Sequence, residues 1–231
     1  MRIGASILMN REVACQSHEW QIHRPIGSLN VALQALNRLE VDEIAVINIG
    51  GRAGYGSGAG EASAFLSHIP VTTPVIFGGG INEKNFRAVV ANASADRYLL
   101  SSSLIEGNFD CSERLAEIVG LQAIIGCLPF RLESGRLRFF HTSSAQWVEL
   151  SPQAIAEIYT KCDEVLWYDT HADGQREGFD LSVLKRVDIE LNRTIICGGV
   201  GEKELKWARS RNLAACYIEN RILHKEKALR H

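Results

Sequence analysis

The chain has 231 residues, 46% of them apolar and 23% charged, with a formal charge of −2. That length allows one large domain or two small ones, each with a sizeable core. It carries no basic excess for nucleic-acid binding by phosphate neutralisation, no apolar run of the ~18 residues that a membrane span needs, and too many apolar residues for disorder.

The opening stretch, MRIGASILMNREV, lacks the apolar core and small-residue cleavage site of a secretory leader. None of the six cysteines (Cys15, Cys111, Cys127, Cys162, Cys197 and Cys216) forms a CxxC, and no Cys/His pair has zinc-ligand spacing. A cytoplasmic globular protein with reduced thiols and no metal site is expected.

Short apolar runs punctuate the whole chain: RIGASIL (2–8), EIAVINI (43–49), TPVIFGG (73–79), RYLLSS (97–102), QAIIGCL (122–128), EVLWYD (164–169), RTIICGG (193–199) and CYIEN (216–220). Helix signals lie between them, such as Ser28 opening LNVALQALNRLE, and Ser151-Pro152, an N-cap followed by Pro at the first helical position. Strands apolar on both faces, each followed by a helix, make a parallel α/β sheet. Eight such units in this length suit a (β/α)8 barrel.

The segments also repeat. VDEIAVINIGGRAG (41–54) resembles CDEVLWYDTHADG (162–174), PVIFGGGINEKNF (74–86) resembles TIICGGVGEKEL (194–205), and ADRYLLSSSLI (95–105) resembles ACYIENRIL (215–223). Order and an offset of about 120 residues are both kept. A single barrel domain over 1–231, built from half-barrels at about 1–120 and 121–225, is expected.

Chemistry in such a barrel sits at the C-terminal strand ends. Gly78-Gly79-Gly80 and Gly198-Gly199 end the third and seventh strands. The strands after them end in Ser101-Ser102-Ser103 and Asn220-Arg221. Backbone amides freed by glycine, beside hydroxyls, make anion sites. Two of them on opposite sides of the mouth would grip a substrate with a phosphate at each end.

A repeated half-barrel with these turns, PIGSLNVALQALNRLEVDEIAVINI and the loop DGQREGFD (173–180) resembles the HisA/HisF family of histidine biosynthesis. The resemblance runs from Arg2 to about His224. It is closest to HisF, the cyclase subunit of imidazole glycerol phosphate synthase, and to the HisF-like proteins found with surface-sugar amidotransferases. It implies phosphate binding by Gly80, Ser101 and Ser102 in one half, and by Gly174, Gly199, Asn220 and Arg221 in the other. Arg221 stands where the family has a small hydroxyl residue, and either adds a bidentate anion contact or fills the pocket. It also implies an ammonia gate at the barrel floor formed by Arg2, Glu43, Arg97 and Glu164, facing a glutamine amidotransferase partner of the HisH type. No cofactor is implied.

The departures concern catalysis. The family's catalytic Asp positions fall on Leu8 and Leu128, a further Asp on Asn48, and a loop Lys near Cys15. Leucine neither donates nor accepts a proton, so the paired-carboxylate cyclase or isomerase reaction is not expected. The remaining acid–base candidates are Asp169, His171 and Asp173, with Asp180 nearby. Asp169 and His171 would share one face of an extended segment. His18, Trp20 and His23 in the long first loop show no pattern. Three functions stay open: an ammonia-handling, lyase-like HisF-type subunit; a catalytically lapsed phosphate-binding or scaffold barrel; and a divergent enzyme using Asp169 and His171.

Overall fold

The computed structural model describes residues 1–50, 58–175, 177–219 and 222. The strands of the first half are β1 (Arg2–Asn10), β2 (Val13–His18), β3 (Ile22–Ser28), β4 (Ile44–Asn48), β5 (Val75–Gly78) and β6 (Arg97–Leu100). Those of the second are β7 (Ile124–Glu133), β8 (Arg136–His141), β9 (Gln146–Val148), β10 (Glu164–Asp169), β11 (Thr194–Cys197) and β12 (Ala215–Ile218). The helices are α1 (Leu29–Arg38), α2 (Ala59–Leu66), α3 (Phe86–Asn92), α4 (Ser102–Ile105), α5 (Asp110–Val119), α6 (Pro152–Thr160) and α7 (Glu202–Ser210).

Eight strands pair in parallel in the order β1, β4, β5, β6, β7, β10, β11, β12. The β12–β1 pairing closes the ring. The chain is therefore a (β/α)8 barrel, and the eight apolar runs are its staves. Side chains alternate along each stave. On β10, Leu166 and Tyr168 join the core inside the barrel, while Val165 and Trp167 join the core under the helices.

Two local expectations fare differently. Ser151 does cap α6, its Oγ accepting from the Ala154 amide at 3.1 Å with Pro152 at the first position. Ser28 stands at the N-cap of α1 but makes no side-chain cap bond. The expected helix after β10 is replaced by 3₁₀ turns at Val183–Lys185 and Leu191–Arg193.

The long first loop is in fact an antiparallel extension of the barrel. The β2–β3 hairpin pairs on β1, and β8 and β9 extend β7 in the same way. Each half thus carries one lengthened first strand with two antiparallel strands folded back on it. Among the described residues, no helix is long and apolar enough to cross a membrane, and no group of His, Cys, Asp and Glu is arranged to hold a metal. All six cysteines are buried and unpaired. Burial raises the thiol pKa of Cys111 to about 11, and those of Cys162 and Cys216 to about 12.

The glycine turns are places of close approach. A Cβ on Gly79 would lie 2.0 Å from the Asn48 carbonyl oxygen, and one on Gly198 would lie 2.2 Å from that of Asp169. Their φ values are +94° and +91°. Both the clash and the left-handed backbone demand glycine. Gly198→Ala should therefore cost about 2–4 kcal/mol of stability in urea denaturation. Gly135→Ala, at φ +78° with nothing within 4 Å of its added Cβ, should cost about 1 kcal/mol.

Candidate functional site

Four charges meet at the barrel floor. Arg2 Nε lies 2.9 Å from Glu43 Oε1 and its NH2 lies 2.5 Å from Glu164 Oε2. Arg97 NH1 lies 2.6 Å from Glu164 Oε2 and 3.9 Å from Glu43 Oε2, and its NH2 reaches Asp163 at 2.9 Å. The Glu43 and Glu164 carboxylates are buried, and buried charges persist only when paired. Burial opposes the charge on Arg2, yet the hydrogen bonds to Glu164 and Glu43 hold its pKa above the usual range. Tyr217, fully buried on β12, donates its hydroxyl proton to Glu43 Oε1 at 3.0 Å. Asp96 serves the backbone by accepting from the Val75 amide.

At the opposite end, one cavity of about 630 Å³ opens over the first half. Gly79, Gly80, Ser101, Ser102 and Ser103 line it, facing Thr142 and Ser143 from the turn between β8 and β9. The Ser101 and Ser103 hydroxyls are buried and have no hydrogen-bond partner among the described residues. Such groups are costly to leave unsatisfied. Ser102 is engaged: its Oγ lies 2.6 Å from Thr142 Oγ1 and accepts from the Ser143 amide at 3.2 Å.

The matching region of the second half is packed differently. A Cβ on Gly174 would meet the Ser17 carbonyl oxygen at 2.5 Å, and one on Gly199 would meet Ala172 Cβ at 2.7 Å. Asp173 and Glu219 line a cavity of about 10 Å³ with Cys15, Ser17 and Tyr168, room for about one water. Tyr168 donates to Glu219. Asn220 and Arg221 lie outside the described residues.

The expected Asp169–His171 pair does not form. The chain turns at Thr170 straight after β10, so the alternation of an extended segment stops there. Asp169 is buried and accepts from the amides of His171 and Ala172 (both 3.1 Å) and of Asp180 (3.0 Å). Burial raises its pKa, with those amides opposing. The His171 side chain is 63% exposed, 3.5 Å from Glu19 and 3.9 Å from Glu177. Asn48 is the counterpart of Asp169 in the first half, its Oδ1 accepting from the Gly50 amide at 3.0 Å. Both residues brace the loop after their strand.

Leu8 belongs to the inner core. Leu128 does not. It packs in the outer core beneath the helices, while the next residue, Pro129, lines the cavity. A one-residue slip in a strand exchanges the two faces. The mouth-facing position is therefore Pro129, which is equally unable to move a proton.

Several cavity residues went unread in the sequence. Trp20 lines the cavity and packs edge-on against Tyr168 and Phe140, with ring centroids 4.8 and 6.1 Å away. It sits in a hairpin turn at φ +57°, beside Glu19 at +52°. Thr142, Ser143 and Glu106, with His141 beside them, come from elements that are local only in three dimensions. His141 Nε2 lies 2.6 Å from Glu106 Oε1, and its Nδ1 lies 2.6 Å from Ser144 Oγ.

A (β/α)8 barrel with a glycine-and-hydroxyl cradle at its mouth defines the general class. Residues 11–228 match the model of the family described as histidine biosynthesis protein, and the chain belongs to that family. A provisionally named imidazole glycerol phosphate synthase subunit hisF2 of Campylobacter jejuni is 24% identical over 93% of this chain and 85% of its own length. A similarly named hisF2 of Parasynechococcus marenigrum is 26% identical over 58% of this chain, which spans about half of that relative (51%). The imidazole glycerol phosphate synthase subunit HisF of Saccharolobus solfataricus is 24% identical over 58% of this chain and 54% of its own length.

If Asp169 is a brace, Asp169→Ala should lower the unfolding free energy by about 3 kcal/mol, because three buried amides lose their acceptor. His171→Ala should change it by less than about 0.5 kcal/mol. Urea denaturation of both variants checks this.

Proposed function

We propose that this chain is a HisF-like barrel, made of two duplicated halves, that binds a phosphorylated metabolite through one anion cradle in its first half. The observation that carries this is the pair of buried, unpartnered hydroxyls on Ser101 and Ser103 beside Gly79 and Gly80. A phosphate oxygen supplies the acceptor those donors lack. The second half is a poorer anion site, because protein atoms crowd Gly174 and Gly199. With Leu8 and Pro129 at the strand ends, ring closure by paired carboxylates has no acid or base there. Six unpaired thiols suit a reducing compartment, the cytoplasm.

A glutamine amidotransferase partner is the second reading. It is favoured by the convergence of Arg2, Glu43, Arg97 and Glu164 at the floor, and by the word "subunit" in the names of the relatives. Ammonia passing there would have to part these ion pairs and displace Tyr217, which is bonded to Glu43. The ring therefore supports docking at the floor better than an open conduit.

Isothermal titration with ribose 5-phosphate tests the principal reading. Replacing Ser101 and Ser103 together by Ala should weaken binding about tenfold to a hundredfold, as expected for losing two hydrogen bonds to a charged group. Unchanged affinity would place the ligand elsewhere.

A further inference from the structure

Beside the anion cradle stands a histidine that neither the phosphate contacts nor the floor ring employs. His141 ends β8, is 8% exposed, and touches Glu106, the residue that follows α4 and lines the same cavity. Three contacts join this turn to the cradle: His141 Nε2 to Glu106 Oε1 at 2.6 Å, Thr142 Oγ1 to Ser102 Oγ at 2.6 Å, and the Ser143 amide to Ser102 Oγ at 3.2 Å.

The imidazole is wired for two protonation states. The Ser144 amide donates to Nδ1 at 3.3 Å, which in the neutral ring leaves the proton on Nε2, the nitrogen nearest Glu106. The Ser144 hydroxyl, 2.6 Å from Nδ1, is able to accept when that nitrogen is protonated. Nδ1 has a partner in either state, and Nε2 stays within ion-pair reach of Glu106 without a directed hydrogen bond.

We propose that anion binding at the Ser101–Ser103 cradle is linked to uptake of a proton by His141. The proposal rests on the cradle being the phosphate site. With His141 neutral, Glu106 presents an uncompensated carboxylate to a cavity that is to receive an anion. With His141 protonated, the pair is neutral overall and the turn carrying Thr142 and Ser143 is held more firmly over Ser102. The bound anion favours the charged imidazole, and by reciprocity the proton favours the anion.

The other titratable groups lining the cavity are Glu83, Lys84, Cys111 and Cys127, the last a thiol that burial holds far above its usual range. Glutamate and lysine ordinarily titrate below and above the neutral range, and burial pushes the Cys111 thiol up to about 11. The sign is therefore fixed: affinity is higher with the imidazole protonated and falls as the pH rises.

Sulfate is the probe, since it stays a dianion throughout. Its Kd, measured by titration calorimetry from pH 5.5 to 8, should weaken about fivefold or more. Parallel runs in buffers of different ionisation enthalpy should show net proton uptake on binding near neutral pH. His141→Gln should flatten the pH profile and abolish the uptake. Glu106→Gln should tighten binding at pH 8, which a loss of folding would not do. A His141→Gln variant that keeps the native pH profile overturns the linkage while leaving the cradle intact. A native protein that binds sulfate at no pH, with ribose 5-phosphate also failing, overturns both.

Discussion

A side chain on a barrel stave faces either the axis or the helices, and the consequences of that two-residue period run through the whole molecule. It sets Leu8 and Pro129 at the mouth, where neither can move a proton, and sends Leu128 outward. It puts Tyr168 and Tyr217 on the inside, each spending its hydroxyl on a carboxylate, Glu219 near the mouth and Glu43 at the floor. It leaves Asn48 and Asp169 on the outward register at their strand ends. There they hold the following loops and are backed by a glycine whose missing Cβ lets the next turn approach.

Those braces recur in both halves, but the pockets beside them differ. Around Gly79 and Gly80 there is room for a ligand, and the hydroxyls await an acceptor. Around Gly198 and Gly199 the loop after β10 folds inward, bringing Ala172 against the turn. Asp173 accepts from the Trp20 amide at 3.4 Å, so the first hairpin is drawn onto that loop as well. The two halves thus support an asymmetric proposal: one anion cradle kept, its counterpart turned into packing.

Much of this was legible in the sequence because it depends on local pattern. Apolar runs of four to six residues gave the staves, and the glycine pairs gave the close turns. The four floor charges fall at strand starts, where the closed ring brings Arg2, Glu43, Arg97 and Glu164 together. What failed depended on register or on distant partners. Leu128 and Pro129 differ by one step, which no apolar run resolves. The segments VACQSH and IHRPIGS are half-exposed and pair only with neighbours, so they read as loop rather than as β2 and β3. Asp169 and His171 were paired by assuming an extended chain where a turn begins. Glu106 and His141 are 35 residues apart, and only the docking of the hairpin on α4 unites them.

In the proposed function a single anion cradle, on the first half, remains usable. Crystals grown with tungstate at neutral pH locate a heavy phosphate mimic directly by its anomalous signal. One tungstate per chain is expected, within hydrogen-bonding distance of the Ser101 and Ser103 hydroxyls. A tungstate seated at Gly174 and Gly199, or none at the serines, would contradict it.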